Sequence, residues 1–227
     1  MLSTQIIMVG TTSIPALDNS IIDQLLDWHD SKKTILENPG SIGLNTPWVH
    51  TKIRDSDPME KSIQIKNSIS GSPWNLDFVE NFPTLVESFN QLPLNFINKI
   101  LILETVKECV PHIDGSSRTY LDKSIEPCNY RMLLRKPKNS KGFYVQPLLK
   151  ENFGISARKE IDTPYSKNYY SPEIGKWWVL NNWCCQHGSD WLPEDNKALI
   201  SVIGTPSNEH KQILNSLSNT IKHPDYT

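Results

Sequence analysis

The segment Cys109, Val110, Pro111, His112, Ile113, Asp114 closes an apolar run that begins at Lys99. If that run continues as a strand, His112 and Asp114 stand at i and i+2 and share one face. An imidazole and a carboxylate so placed can reach one metal ion. A third ligand has to come from elsewhere, and His187 ends a Trp-rich apolar stretch 73 residues after Asp114. Two histidines and one carboxylate on one face of an octahedral ion leave three positions open, the arrangement used in non-haem Fe(II) oxygen chemistry. Spacing alone leaves a plainer reading open, a hydrogen-bonded surface pair at His112 and Asp114 with a lone loop histidine at 187. A second His-x-Asp pair, His223 and Asp225, is set aside because it falls within the last five residues and no later histidine follows.

Lys197 stands ten positions after His187, at the start of the apolar run Ala198 to Ile203. A buried lysine beside a metal wants an anion, such as the far carboxylate of a dicarboxylic acid. An exposed lysine opening a strand is the alternative. Arg118, four residues after Asp114, is a candidate for fixing an acidic or amino-acid substrate, or else a solvated loop arginine.

These residues need strands to hold them. Lys99 to Val106, Tyr130 to Leu134, Lys176 to Leu180 and Ala198 to Ile203 are β-branched and apolar and predict four. Asp18 caps a helix carrying Ile21, Ile22, Leu25, Leu26 and Trp28. Phe78 to Phe89 predicts a second helix, with Pro83 near its start or at a kink. Ile213, Leu214, Leu217 and Ile221 predict a C-terminal helix capped by Asn208. The expected architecture is α+β and mainly β: a helical and loop frame over 1–95, a β core over 96–205, and a C-terminal helix over 206–227, all in one domain. The polar, Tyr-rich segment 136–172 is expected as an insertion or lid with some strand content. The β half is a sandwich or a jelly roll.

The 227 residues carry Lys+Arg 23 against Asp+Glu 25, a net charge of −2. This near balance argues against a general nucleic-acid binder. No apolar run approaches the roughly 20 residues that span a bilayer, and the N-terminus does not read as a signal peptide. The cysteines, Cys109, Cys128, Cys184 and Cys185, form no C-x-x-C pair. They are expected as reduced thiols of a cytoplasmic protein.

Three blocks carry a resemblance to a known family: Lys99 to Asp114 with its P-H-x-D ending, Asn129 to Leu134 with Arg131, and Gly175 to His187. Together they resemble the Fe(II)- and 2-oxoglutarate-dependent oxygenases, in the aspartyl/asparaginyl β-hydroxylase-like branch that includes bacterial free-proline hydroxylases. The resemblance covers Ile97 to Gly204. It implies a double-stranded β-helix (jelly-roll, cupin-like) core with flanking helices. It also implies Fe(II) on His112, Asp114 and His187, and 2-oxoglutarate paired with Lys197. Arg131 matches an arginine that contacts carboxylates of cosubstrate or substrate. Lys197 stands where the family usually has Arg, and Leu133 where it often has His. The implied reaction is hydroxylation of an unactivated C–H bond in an amino acid, peptidyl residue or small metabolite, with oxygen consumed. The alternatives are a non-catalytic jelly-roll binding protein and a jelly-roll enzyme using another divalent metal.

Overall fold

The computed structural model describes residues 5–32, 48–55, 74–105, 108–113, 128–155, 160–192 and 194–226. The strands are β1 (Ile7–Thr11), β2 (Trp48–Asp55), β3 (Leu94–Thr105), β4 (Cys109–His112), β5 (Cys128–Arg135), β6 (Phe143–Pro147), β7 (Asn168–Tyr169), β8 (Trp177–Leu180), β9 (Cys185–Ser189), β10 (Ala198–Pro206) and β11 (Ser218–Lys222). The helices are α1 (Asn19–Lys32), α2 (Leu76–Asn81), α3 (Pro83–Asn90) and α4 (His210–Asn215).

Two antiparallel sheets form the core. The larger runs β11-β1-β8-β5-β10-β3-β2 and the smaller β4-β9-β6-β7. Within them β3 pairs with β10, β4 with β9, β5 with β8 and β6 with β7. These nested pairs are one long antiparallel ribbon folded over itself, alternating between the sheets, which is the double-stranded β-helix. The same nesting decides between the sandwich and the jelly roll. β1 and β11 extend the large sheet beyond β8, and β2 extends it beyond β3.

Side-chain alternation settles which residues face the interior. On β5, Tyr130, Met132 and Leu134 join Ala198, Ile200 and Val202 of β10 in a core shared with Ile22, Leu25, Phe78 and Phe89 of the helices. Asn129, Arg131 and Leu133, and Leu199 and Ser201, therefore point between the sheets. On β8, Trp177 meets Phe89 edge-on at 6.0 Å on the helix side, while Trp178 lies 4.8 Å from Phe143 inside. With both faces covered, β8 is buried along its length.

The four predicted strands coincide with parts of β3, β5, β8 and β10, save that Lys176 precedes β8 and Val106 lies outside the described residues, and α1 follows Asp18, whose Oδ1 accepts from the Ser20 amide at 2.8 Å. Elsewhere the structure departs from expectation. Phe78 to Phe89 is two helices, because Pro83 lacks an amide hydrogen and starts α3 afresh at its first turn. Segment 136–172 has the strand content expected of it, and those strands, β6 and β7, are members of the small sheet. The C-terminal piece is short helix α4 followed by β11, with Ile221 paired to Val9. Among the described residues, no helix is long and apolar enough to cross a membrane.

Candidate active site

The inner face of β9 presents Cys185, His187 and Ser189, while Gln186 and Gly188 point outward; all five are buried. His187 is 3% exposed. Its partner across the ladder is His112 of β4, and Cys109 pairs with Ser189, so three steps along β4 oppose two along β9. The extra residue is a bulge that re-aims the end of β4. It sets the His112 and His187 rings 4.4 Å apart at their centroids, inclined by 49°. Asp114 and Arg118 lie outside the described residues.

Each imidazole has one nitrogen whose role its partner fixes. His112 Nδ1 lies 2.9 Å from the Val110 carbonyl, which only accepts, so Nδ1 carries a hydrogen and Nε2 is the nitrogen that bears the lone pair when the ring is neutral. His187 Nε2 lies 3.2 Å from Arg131 Nη2. A guanidinium only donates, so this Nε2 also bears a lone pair and the ring is neutral. Two neighbouring imidazoles, one of them oriented by a backbone carbonyl, are a donor set that fits a divalent transition metal. The His187 Nε2 lone pair serves either Arg131 or a metal.

Gly188 makes this alignment possible. A Cβ there would lie 2.5 Å from the Cys109 carbonyl oxygen and 2.6 Å from the Tyr144 ring. Tyr144 Oη reaches over the glycine to donate to that carbonyl at 3.3 Å, bracing β4 on β9. Burial, and then the Asp190 carboxylate, push the Tyr144 phenol well above its ordinary range, so it stays a donor. Gly188→Ala is expected to cost about 1–3 kcal/mol by overpacking and to weaken metal binding. Thermal unfolding and Mn2+ titration check both effects.

Two cations are buried nearby. Arg131, 6% exposed, lies 5.4 Å from the Phe143 ring and 5.6 Å from Trp178. Asn129 holds it: with the amide donating to Ser201 Oγ at 2.9 Å, its oxygen accepts from Arg131 Nε at 3.2 Å and Nη2 at 3.0 Å. Lys197 is 2% exposed and donates to Ser189 Oγ. Among the described residues no carboxylate lies within ion-pair distance of it. Burial, and then the Arg131 charge, hold its pKa down to about 8. Leu133, Phe143, Tyr170, Trp178 and Leu199 line a pocket that includes Lys197. Apolar walls with one buried ammonium suit a short chain ending in an anion.

The structure thus brings His112, His187, Arg131 and Lys197 to one interior. Sequence reasoning missed Ser189 and Asn129, each two residues from a singled-out residue and on the same strand face. His223, set aside from the sequence, is fully buried, with Nε2 2.8 Å from the Leu148 carbonyl, a satisfied structural histidine. Where α1 meets the large sheet, His29, Asp30 and Glu104 hold donor atoms within 4.8 Å of one another. Arg135 reaches Glu104 at 3.5 Å and Asp30 at 3.9 Å, so that cluster carries its own counter-ion and ties α1 to β3 and β5.

No protein-family profile and no curated protein matches this sequence. Solved structures with a similar backbone include an oxidoreductase of the 2OG-Fe(II) oxygenase family from Burkholderia pseudomallei, 11% identical over 85% of this chain and 82% of that one, at a TM-score of 0.41. A prolyl-4-hydroxylase from Pseudomonas putida is 9% identical over 87% and 93%, at 0.46. SnoK, a non-heme alpha ketoglutarate dependent carbocyclase from nogalamycin biosynthesis, is 10% identical over 95% and 89%, at 0.48. All three scores lie below 0.5, and the chemistry of the site is read from this chain's own residues.

Proposed function

We propose that the barrel interior is the active site of an Fe(II)- and 2-oxoglutarate-dependent dioxygenase that hydroxylates an unactivated C–H bond of an amino acid, a peptidyl residue or a small metabolite. The observation that carries this reading is the juxtaposition of His112 and His187, their ring centroids 4.4 Å apart, beside a buried lysine without an ion-pair partner among the described residues. His112 and His187, with Asp114 as the carboxylate two residues along, would hold Fe(II). Bound iron and 2-oxoglutarate supply the oxidation, in which O2 delivers one atom to the substrate and the other to succinate as CO2 is released.

The chain's own residues do the rest. Lys197 neutralises the far carboxylate of the cosubstrate at the polar end of an apolar pocket, and Leu133 and Leu199 keep water from that ion pair. Arg131, gripped by Asn129 and flanked by Phe143 and Trp178, offers a second cation to a carboxylate near the histidines. Arg118 is the proposed contact to an acidic or amino-acid substrate. The P-H-x-D ending, Arg131 and the distal His187 support the aspartyl/asparaginyl β-hydroxylase-like branch; a single domain and a cytoplasmic location are part of the same proposal. Molecular oxygen and a small or peptidyl substrate are the partners, with no nucleic acid or membrane.

The test is uncoupled turnover. Purified protein given Fe(II), 2-oxoglutarate and air is expected to release succinate and CO2 in equal amounts, faster when the right amino acid is added. Neither product forming under oxygen would favour a binding protein. Turnover that persists without oxygen would favour another metal chemistry.

A further inference from the structure

We infer that Asp195 is a positioning residue that holds one wall of the cosubstrate pocket in place before any ligand binds, by clasping the β5–β6 connection to the turn that leads into Lys197. The inference rests on the cosubstrate reading above. The Asp195 side chain is buried and joins two loops. Its Oδ1 accepts from the amides of Lys138, Asn139 and Ser140 at 3.0, 2.7 and 3.4 Å, and its Oδ2 from those of Ser140 and Leu192 at 3.2 and 3.1 Å. Successive amides turned onto one anion form a nest, and here the anion belongs to the chain itself. Hydrogen bonds to an ionised acceptor are the strong kind.

Both loops border the pocket. Pro137, Lys141 and Gly142 line it from the β5–β6 connection, and Lys197 from the turn. Gly142 packs so closely on Pro137 that a Cβ there would lie 3.0 Å from the proline Cγ. The turn is held as firmly. Glu194 sits at φ 70°, a conformation that a residue other than glycine keeps only where its surroundings fix it, and the Asp195 amide donates to the Leu192 carbonyl at 3.0 Å. The Thr105 amide donates to the Lys197 carbonyl at 3.1 Å, which secures the lysine backbone on β3 without help from Asp195. What Asp195 adds is the distance from that lysine to the facing wall, since it grips residues 138–140 from two positions before Lys197. A pocket built in advance spares its ligand the cost of ordering it. The Asp195 charge works the other way, because a carboxylate near Lys197 repels an incoming anion. Neutralising Asp195 therefore separates the two roles by sign.

The experiment compares the parent chain with Asp195→Asn, which keeps the size and removes the charge. Titration calorimetry without oxygen measures 2-oxoglutarate on the Mn2+-saturated protein, and Mn2+ alone on the metal-free protein. Asp195→Asn is expected to bind 2-oxoglutarate roughly tenfold more weakly, the cost of ordering a wall that the parent holds ready, with Mn2+ affinity nearly kept. Thermal unfolding establishes that the variant is folded. Equal 2-oxoglutarate affinity in the folded variant makes the clasp purely structural and overturns the inference. Tighter binding shows the charge acting alone and overturns it too, and a parallel loss of Mn2+ affinity marks general damage and does the same. Hydrogen exchange on the parent is a second test that needs no variant. The amides of residues 138–140 are expected to exchange slowly in the metal-free protein without cosubstrate, and free exchange there overturns the inference. If the Mn2+-saturated parent binds no 2-oxoglutarate, the proposed function falls first and takes the inference with it, even where those amides are protected.

Discussion

His187→Ala is expected to abolish stoichiometric Fe(II) retention and, with it, succinate release. Losing a residue that merely orients a ligand costs about 10–100-fold in metal affinity, so losing a ligand itself is expected to cost more than about 100-fold. His187 sits on an inner strand of the small sheet, 3% exposed and 5.8 Å from the Phe143 ring, so its removal also leaves a small void. His187→Gln fills most of that void and is expected to recover thermal stability without recovering iron. His112→Ala is expected to share the metal phenotype with less loss of stability, since β4 is an edge strand and His112 is only partly buried. Metal content after gel filtration and the unfolding temperature, read together, separate the two effects.

Lys197→Met is expected to stabilise the empty protein and, on the proposed function, to disable it. In the fold the lysine pKa is held at about 8, below its ordinary 10.5. Below pH 8 the folded state keeps a buried proton that the unfolded chain carries more comfortably. Between 8 and 10.5 the unfolded chain binds more protons, so the stability of the empty protein rises with pH across that window. The gap corresponds to about 3 kcal/mol, and an isosteric apolar side chain recovers part of it. The unfolding temperature of the Met variant at pH 7 is therefore expected to exceed the parent's by several degrees, with the difference closing toward pH 10.5. Cosubstrate affinity moves the other way. A carboxylate facing no ammonium in an apolar pocket costs roughly 2–5 kcal/mol, so 2-oxoglutarate binding is expected to fall about 30-fold or more while Mn2+ binding is nearly kept. In the parent, cosubstrate affinity is expected to decline above pH 8. Lys197→Arg flattens that decline because guanidinium stays charged. A Met variant that binds 2-oxoglutarate as tightly as the parent removes Lys197 from the site.

The candidate site was more legible than the frame around it. Strand alternation places Arg131 and Leu133 on one face and Tyr130 and Met132 on the other without reference to coordinates. Likewise the apolar run Ala198 to Ile203 points to a strand opening at Lys197. What local pattern does not contain is pairing. β1 carries a glycine and is only five residues long, and it becomes a strand because β8 and β11 flank it. Ile221 completes a helical spacing with Leu217 and Leu214, yet the helix stops at Asn215 and Ile221 joins a strand against Val9. Ser189 and Asn129 are small polar residues whose importance lies in what reaches them, Lys197 and Arg131. No one-dimensional signal marks that. The bulge between Cys109 and His112 is likewise a product of register with β9.

The most direct test of the metal centre is a crystal grown with Mn2+ and 2-oxoglutarate, with diffraction recorded at the manganese edge. The account predicts one strong anomalous peak between β4 and β9, about 2 Å from Nε2 of both His112 and His187, with a carboxylate of Asp114 on the same ion and the far end of 2-oxoglutarate on Lys197. A peak bound by neither imidazole, or His187 still hydrogen-bonded to Arg131 beside an ion held elsewhere, would contradict it.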